Sequence, residues 1–166
     1  MTEQKTPQMT GFEMVGEFHE VFEHPKESKP NLKVFDENKK LVDLRIALID
    51  EEFNEFKQAI KDKNMVEVAD ALSDILYVIF GAGQAFGINL DETFSKVHQS
   101  NMTKACKTEQ EAIDTVNHIK STESRYKNPQ YKKSSNGKYW IVYDADTGKT
   151  LKSKYYTPVD LSYIGK

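Results

Sequence analysis

Glu52-Phe-Asn-Glu55 and Glu67-Val-Ala-Asp70 supply four carboxylates in two pairs, each pair spaced by three residues. On a helix that spacing puts both acids of a pair on one face. Carboxylates leave water only when something positive compensates them, and no basic residue lies near either pair on its own face. A hard divalent cation held by oxygen donors is the simplest partner. The residues alone therefore point to a magnesium enzyme.

Two helices must position these acids. Winding the chain from Leu41 at about 100° per residue puts Glu52 at about 20° and Glu55 at about 320°, inside the arc of Leu44, Leu48 and Ala59. Asp50, Asn54, Lys57 and Lys61 take the opposite face, and Glu51 lies at the boundary. Between Val66 and Gly87 the charged side chains are Glu67, Asp70 and Asp74, in one stripe that Tyr77 continues. The surrounding Val68, Ala71, Leu72, Ile75, Leu76, Ile79 and Phe80 read as a helix buried on nearly all sides. A short connection at Lys61 to Asn64 makes the two helices antiparallel neighbours, so the acidic stripes should meet in the interior.

The rest of the chain frames that pair. Phe12, Val15, Phe18, Val21 and Phe22 predict a first helix over 11–23, and two X-Pro steps, His24-Pro25 and Lys29-Pro30, mark a turn or linker after it. The acid-bearing helices should run over 37–61 and 65–86, with Gly87 as the left-handed residue that ends the second. Asn89 or Asp91 can cap another helix reaching Asn101. Thr108 and Glu111 have capping-box spacing for a last one over 108–120. After Ser121 the pattern changes. Lys138-Tyr-Trp-Ile-Val-Tyr143 and 149–156 read as two strands around the Gly148 turn, a hairpin that needs other elements to pack on. The expected fold is all-α, an antiparallel bundle of four to five helices with a small C-terminal β-hairpin. Residues 1–104 form the helical catalytic domain, and 105–166 a helical insertion and hairpin tail packed on it.

Composition narrows the function. A net charge of −3 over 166 residues does not suggest a nucleic-acid partner. The Met1 to Thr10 stretch is polar and lacks the apolar core of a leader, and the apolar run 75–86 is too short to span a membrane. The single cysteine, Cys106, fits a cytoplasmic protein. The basic residues between Arg125 and Lys138 read as a solvated face or, more sharply, as a lid or subunit contact that brings cations to an anionic substrate.

Glu51-Glu52-Phe-Asn-Glu55 followed by Glu67-Val-Ala-Asp70 resembles the paired metal motif of the all-alpha nucleoside triphosphate pyrophosphohydrolases, which include MazG proteins, dimeric dUTPases and phosphoribosyl-ATP pyrophosphohydrolases. Leu48-Ile-Asp-Glu-Glu52, Ala69-Asp-Ala-Leu-Ser-Asp-Ile-Leu-Tyr77 and Val97-His-Gln-Ser-Asn-Met-Thr-Lys104 match the same pattern, the last resembling a MazG-like signature block. Gly148 to Lys152 and Tyr156-Thr-Pro158 resemble that branch's tail. The resemblance implies that Glu52, Glu55, Glu67 and Asp70 hold Mg2+, with Mn2+ as a substitute. Glu51 would be a further ligand or orient the attacking water, so that Glu51 and Glu52 are the catalytic pair.

The same resemblance makes Asn101 and Lys104 phosphate contacts. Asp74, one turn beyond Asp70, could complete the ligand set or accept a hydrogen bond from a ligand-bound water, and the second role is preferred. Phe18, His19 and Phe22 would form the nucleobase pocket, because bases stack on aromatic rings and an imidazole can read a polar edge. The implied reaction turns a nucleoside triphosphate into a monophosphate and pyrophosphate, in a homodimer or homotetramer. Two rivals stand beside it. One is phosphoribosyl-ATP hydrolysis, and the other a non-catalytic helical interaction module whose acids bind structural metal.

Overall fold

The computed structural model describes residues 8–166, so the N-terminal stretch read as lacking a leader lies mostly outside the described residues. The chain forms two compact units, one of residues up to Thr93 together with Leu161–Lys166, the other Phe94–Asp160. Among the described residues no helix is long and apolar enough to cross a membrane.

The first unit contains α1 (Gly11–Val21), α2 (Val34–Glu37), α3 (Lys39–Lys61), α4 (Met65–Phe86) and the start of α5 (Leu90–Met102). Thr10 opens α1 with a full capping box: its side chain accepts from Glu13 N, and the Glu13 carboxylate accepts from Thr10 N at 2.7 Å. The helix ends at Val21, two residues before the expected limit, where Glu23 takes a positive φ of 55°. Asn38 caps α3 by accepting from Leu41 N, which is why that helix starts at Lys39 rather than Glu37. A three-residue link, Asp62 to Asn64, turns the chain back. Asn64 then caps α4 by accepting from Val66 N and Glu67 N.

α4 packs on α3 along one side and on α1 along another. Ala59 and Ala71 are both buried where α3 meets α4, and their small side chains let the two backbones approach. The rest of the pair is barer than the sequence suggests. Leu44, Ile46, Phe53 and Ile60 of α3 and Leu72, Leu76 and Ile79 of α4 are 37–55% exposed. The expectation of a helix buried nearly all round is therefore corrected: within one chain α4 has cover on two sides only.

The loop after α1 docks on the end of α4. Glu27 N donates to Gln84 O at 2.9 Å and Asn31 N to Phe86 O at 3.0 Å, which satisfies carbonyls that a helix end leaves open. Gly87 closes α4 at φ 71°, and a Cβ placed there would lie 2.0 Å from the Lys29 carbonyl oxygen.

The second unit is α/β in character. It holds the end of α5, α6 (Glu109–Thr122), β1 (Pro129–Lys133) and β2 (Trp140–Asp144). Thr108 caps α6 by accepting from Glu111 N, while the Glu111 carboxylate reaches one residue further back, to Lys107 N at 2.7 Å. α6 packs on the sheet over a core of Cys106, Ala112, Val116, Ile119, Val142 and Leu151, bordered by Tyr126, Tyr131 and Trp140. The hairpin differs from expectation. β2 pairs antiparallel with β1, from Pro129↔Asp144 to Lys133↔Trp140, whereas 149–156 contributes a single bridge, Tyr143↔Thr150. α6 thus forms where the last helix is expected, while the basic stretch read as a solvated face supplies one strand of the sheet.

Gly87→Ala should cost more stability than Gly148→Ala. Both positions have φ near 71°, which costs an alanine about 1–2 kcal/mol, but Gly148 has open space around its Cβ position and Gly87 has a backbone carbonyl in the way. Urea denaturation of the two variants checks this. Equal losses would show that the loop moves aside freely.

Candidate active site

Carboxylates from α3 and α4 meet along the contact between the two helices. Glu55, Glu67 and Asp70 line an open groove with Gln58, Ala59, Asp62 and Ala71, a cavity of about 200 Å³. Glu52 and Asp74 sit half-buried one turn further along, while Glu51 is exposed. The pairs arrive together because three- and four-residue steps keep each stripe on one helix face and the short link sets the two faces against each other.

The groove is open where the sequence suggests an interior. Glu55, Glu67 and Asp70 are exposed, and the physical reason is the missing cover on the outer side of α3 and α4. Among the described residues no three of His, Cys, Asp and Glu close into a ready-made metal cage. The donor set nonetheless fits magnesium on its chemistry. Magnesium favours carboxylate oxygens, keeps several waters and shares its coordination with substrate phosphates, so it rarely needs a closed protein cage.

Electrostatics supports that fit. The Glu52 carboxyl is pushed above the usual glutamate range, first by desolvation and then by the negative charges of Glu55, Asp74, Glu51 and Asp70. None of these acids takes part in an ion pair among the described residues, whereas Lys26 pairs with Glu20, Lys33 with Glu37, Lys39 with Asp43 and Arg125 with Glu123. The cluster is anionic and uncompensated.

One turn beyond Asp74, Tyr77 of α4 joins an aromatic cluster. Phe18 of α1 packs on Phe22 at 4.4 Å between ring centroids, and edge-on against Tyr77 of α4 at 5.6 Å and His24 at 5.4 Å. Phe18, His19 and Phe22 are thus brought together as the sequence suggests. His19 is 3% exposed, and its Nδ1 lies 2.7 Å from the Pro25 carbonyl oxygen, so Nδ1 donates and Nε2 keeps the lone pair. Burial, partly offset by that hydrogen bond, lowers its pKa, and Arg45, His24 and Lys26 lower it further.

Asn101 and Lys104 stand in the second unit. Lys104 Nζ donates to Asn101 Oδ1 at 2.7 Å and lies 5.9 Å from the Tyr156 ring centre. An amide and an ammonium held side by side are suited to phosphate oxygens.

Three neighbours escaped sequence reasoning: His24, Tyr77 as a ring rather than as part of the acidic stripe, and Arg45. Arg45 had a visible signal, since the wheel that placed Glu52 puts it at about 40°, among the leucines.

The family model described as phosphoribosyl-ATP pyrophosphohydrolase matches residues 15–101, more than half of the chain and all of α3 and α4. The chain belongs to the phosphoribosyl-ATP pyrophosphohydrolase family. It is also 30% identical to uncharacterized protein L479 of Acanthamoeba polyphaga mimivirus, over 89% of this chain and 92% of that protein. Membership in the phosphoribosyl-ATP pyrophosphohydrolase family gives a pyrophosphohydrolase-like function, that of a hydrolase acting on phosphoric anhydrides. Both acidic pairs and the aromatic cluster fall within the matched span.

The raised Glu52 pKa has a definite sign in stability. In the folded chain Glu52 holds its proton more tightly than in the unfolded chain, so its contribution is lost as pH rises above the ordinary glutamate value of 4.5. Glu52→Gln should therefore raise the melting temperature of the metal-free protein at neutral pH, and the gain should vanish below that value. Melting curves across pH 4 to 8 in chelator check this, and a gain independent of pH would contradict it.

Proposed function

We propose that this chain is a Mg2+-dependent nucleoside triphosphate pyrophosphohydrolase, releasing nucleoside monophosphate and pyrophosphate in nucleotide-pool housekeeping. The uncompensated carboxylate cluster of α3 and α4, on a pyrophosphohydrolase-family scaffold, is the observation that carries the reading.

Glu52, Glu55, Glu67 and Asp70 would hold the ion, and Mn2+ could take its place. When bound, the ion neutralises phosphate charge and makes an attacking water more acidic. Glu51, exposed beside Glu52, would orient that water by accepting its hydrogen bond. Asp74, whose charge acts on Glu52, would hold a second water in place. Asn101 and Lys104 enter on chemistry alone, as an amide donor and a point charge for phosphate oxygens. Phe18 and Phe22, with His19 behind them, would take the base. Phosphoribosyl-ATP is the second reading, favoured by the description of the matching family.

A nucleotide panel tests the proposal. With magnesium, pyrophosphate should appear from at least one nucleoside triphosphate, and chelator should abolish it. Orthophosphate alone, or turnover without metal, would sink the reading; turnover of phosphoribosyl-ATP alone would select the second. Glu52→Gln should lower kcat roughly 100-fold or more while the helical circular dichroism stays unchanged. An unfolded variant would instead favour a structural role for the metal.

The reading includes a homodimer or homotetramer in the cytoplasm. A second copy seated on α3 and α4 would cover Leu72, Leu76 and Ile79, an exposed apolar face of the kind that marks protein interfaces. Light scattering should give two or four times the chain mass of 19.1 kDa, and Leu76→Glu should reduce it. A monomeric wild-type protein would refute the assembly.

A further inference from the structure

Arg45 is a buried cation with an unmet donor. It is 5% exposed, and its Nε has no hydrogen-bond partner among the described residues. Burial alone perturbs the guanidinium, with no carboxylate acting on it. Leaving a charged donor unpaired in the interior is costly, so such a group is retained where something else supplies the acceptor.

Its surroundings are built rather than accidental. Arg45 Nη1 and His19 Nε2 lie side by side over Gly81, where a Cβ would come within 3.1 Å of each. Any larger residue at 81 would displace both. His19 is held from behind by the Pro25 carbonyl oxygen, which accepts from Nδ1, while Nε2 faces the Gly81 backbone. His24 packs on the His19 ring at 5.4 Å and on the Phe18 ring, joining this polar spot to the aromatic cluster.

Its position follows from helix geometry. Arg45 precedes Glu52 on α3 by seven residues, and Gly81 follows Asp74 on α4 by seven. Each is two turns, about 10 Å, from the acidic cluster on the same helix face. Phe18 and Tyr77 lie between the two ends. The order is carboxylates, aromatic rings, then a buried guanidinium beside an imidazole, over a span comparable with that of a nucleoside.

We infer that Arg45 is the subsite for a carbonyl oxygen of the substrate's nucleobase, so that oxo bases are favoured over adenine. This deepens the proposed nucleotide reading and rests on it. A guanidinium only donates, in a fixed fork, and an unpaired Nε beside Nη calls for an acceptor with two lone pairs. The exocyclic oxygens of guanine, cytosine, uracil and thymine meet that need, whereas adenine carries none. A site built to hydrogen-bond one group rejects analogues that lack it, because its own polar groups are then left unpaired.

The test is equilibrium binding, separate from turnover. Isothermal titration with non-hydrolysable α,β-imido analogues of dUTP, dCTP, dGTP and dATP, in magnesium, should show the three oxo analogues binding at least tenfold tighter than the adenine one. Arg45→Met should bring that ratio to within about twofold. Gly81→Ala, which leaves both side chains in the sequence but crowds them, should reduce it in the same direction, and circular dichroism checks that each variant folds. Equal affinity for all four bases, tighter binding of the adenine analogue, or an equal loss for every analogue in Arg45→Met overturns the inference. So does binding of none. Base-selective binding without pyrophosphate release would leave the subsite standing and remove the hydrolase reading instead.

Discussion

Negative charges held against each other across the α3–α4 contact are the constraint from which the rest follows. Ala59 and Ala71 let the helices approach, and that approach brings Glu52 within the fields of Asp70 and Asp74 as well as of its own helix neighbours Glu51 and Glu55. Water screens part of this repulsion, because the groove is open. Desolvation first, and then what remains of the repulsion, raises the Glu52 carboxyl above its usual range. A folded chain that keeps such a cluster gives up stability at a place where a cation, or a cation together with a charged ligand, recovers it.

Arg45 shows why the cluster stays uncompensated. A guanidinium one turn from Glu52 would pair with it and neutralise part of the groove. Two turns away, with aromatic rings between, it does not act as a counter-ion, and desolvation is the cause that perturbs it. The opposite charges are kept apart by the helix repeat itself, since a seven-residue step returns to the same face about 10 Å further along. Along the helix pair, acceptors are therefore concentrated at one end and a buried guanidinium stands two turns away. Such an arrangement would orient a bound molecule as well as hold it.

The sequence made part of this legible. Glu52, Glu55, Glu67, Asp70 and Asp74 were found because three- and four-residue steps are the signature of one helix face, and the short Asp62 to Asn64 link left little freedom in how the faces meet. Their burial was misjudged for a definite reason: a wheel reports which residues share a face, not whether the same chain covers it. Leu72 and Leu76 look like core by periodicity and stand at the surface. The hairpin was misread because Gly148 is the more visible turn signal. β1 is Pro-Gln-Tyr-Lys-Lys, in which Tyr131 is the side chain that borders the core, so its alternation is nearly invisible. Arg45 was overlooked although its angle placed it with Glu52, because a single basic residue in an apolar arc is easily taken for a side chain that snorkels to water.

The bare face of α3 and α4 and the acidic groove are edges of the same helix pair, and they act on each other. Covering Leu72, Leu76 and Ile79 would remove solvent from the groove's rim, and lower local dielectric would strengthen every interaction among Glu52, Glu55, Asp70 and Asp74. Repulsion would grow, and so would the gain from placing a dication among them. Assembly through that face and cation binding in the groove would then be linked, each favouring the other by the same free energy. The open, water-screened groove of one chain would in this sense be the low-affinity form of the site, and burial is what would sharpen it.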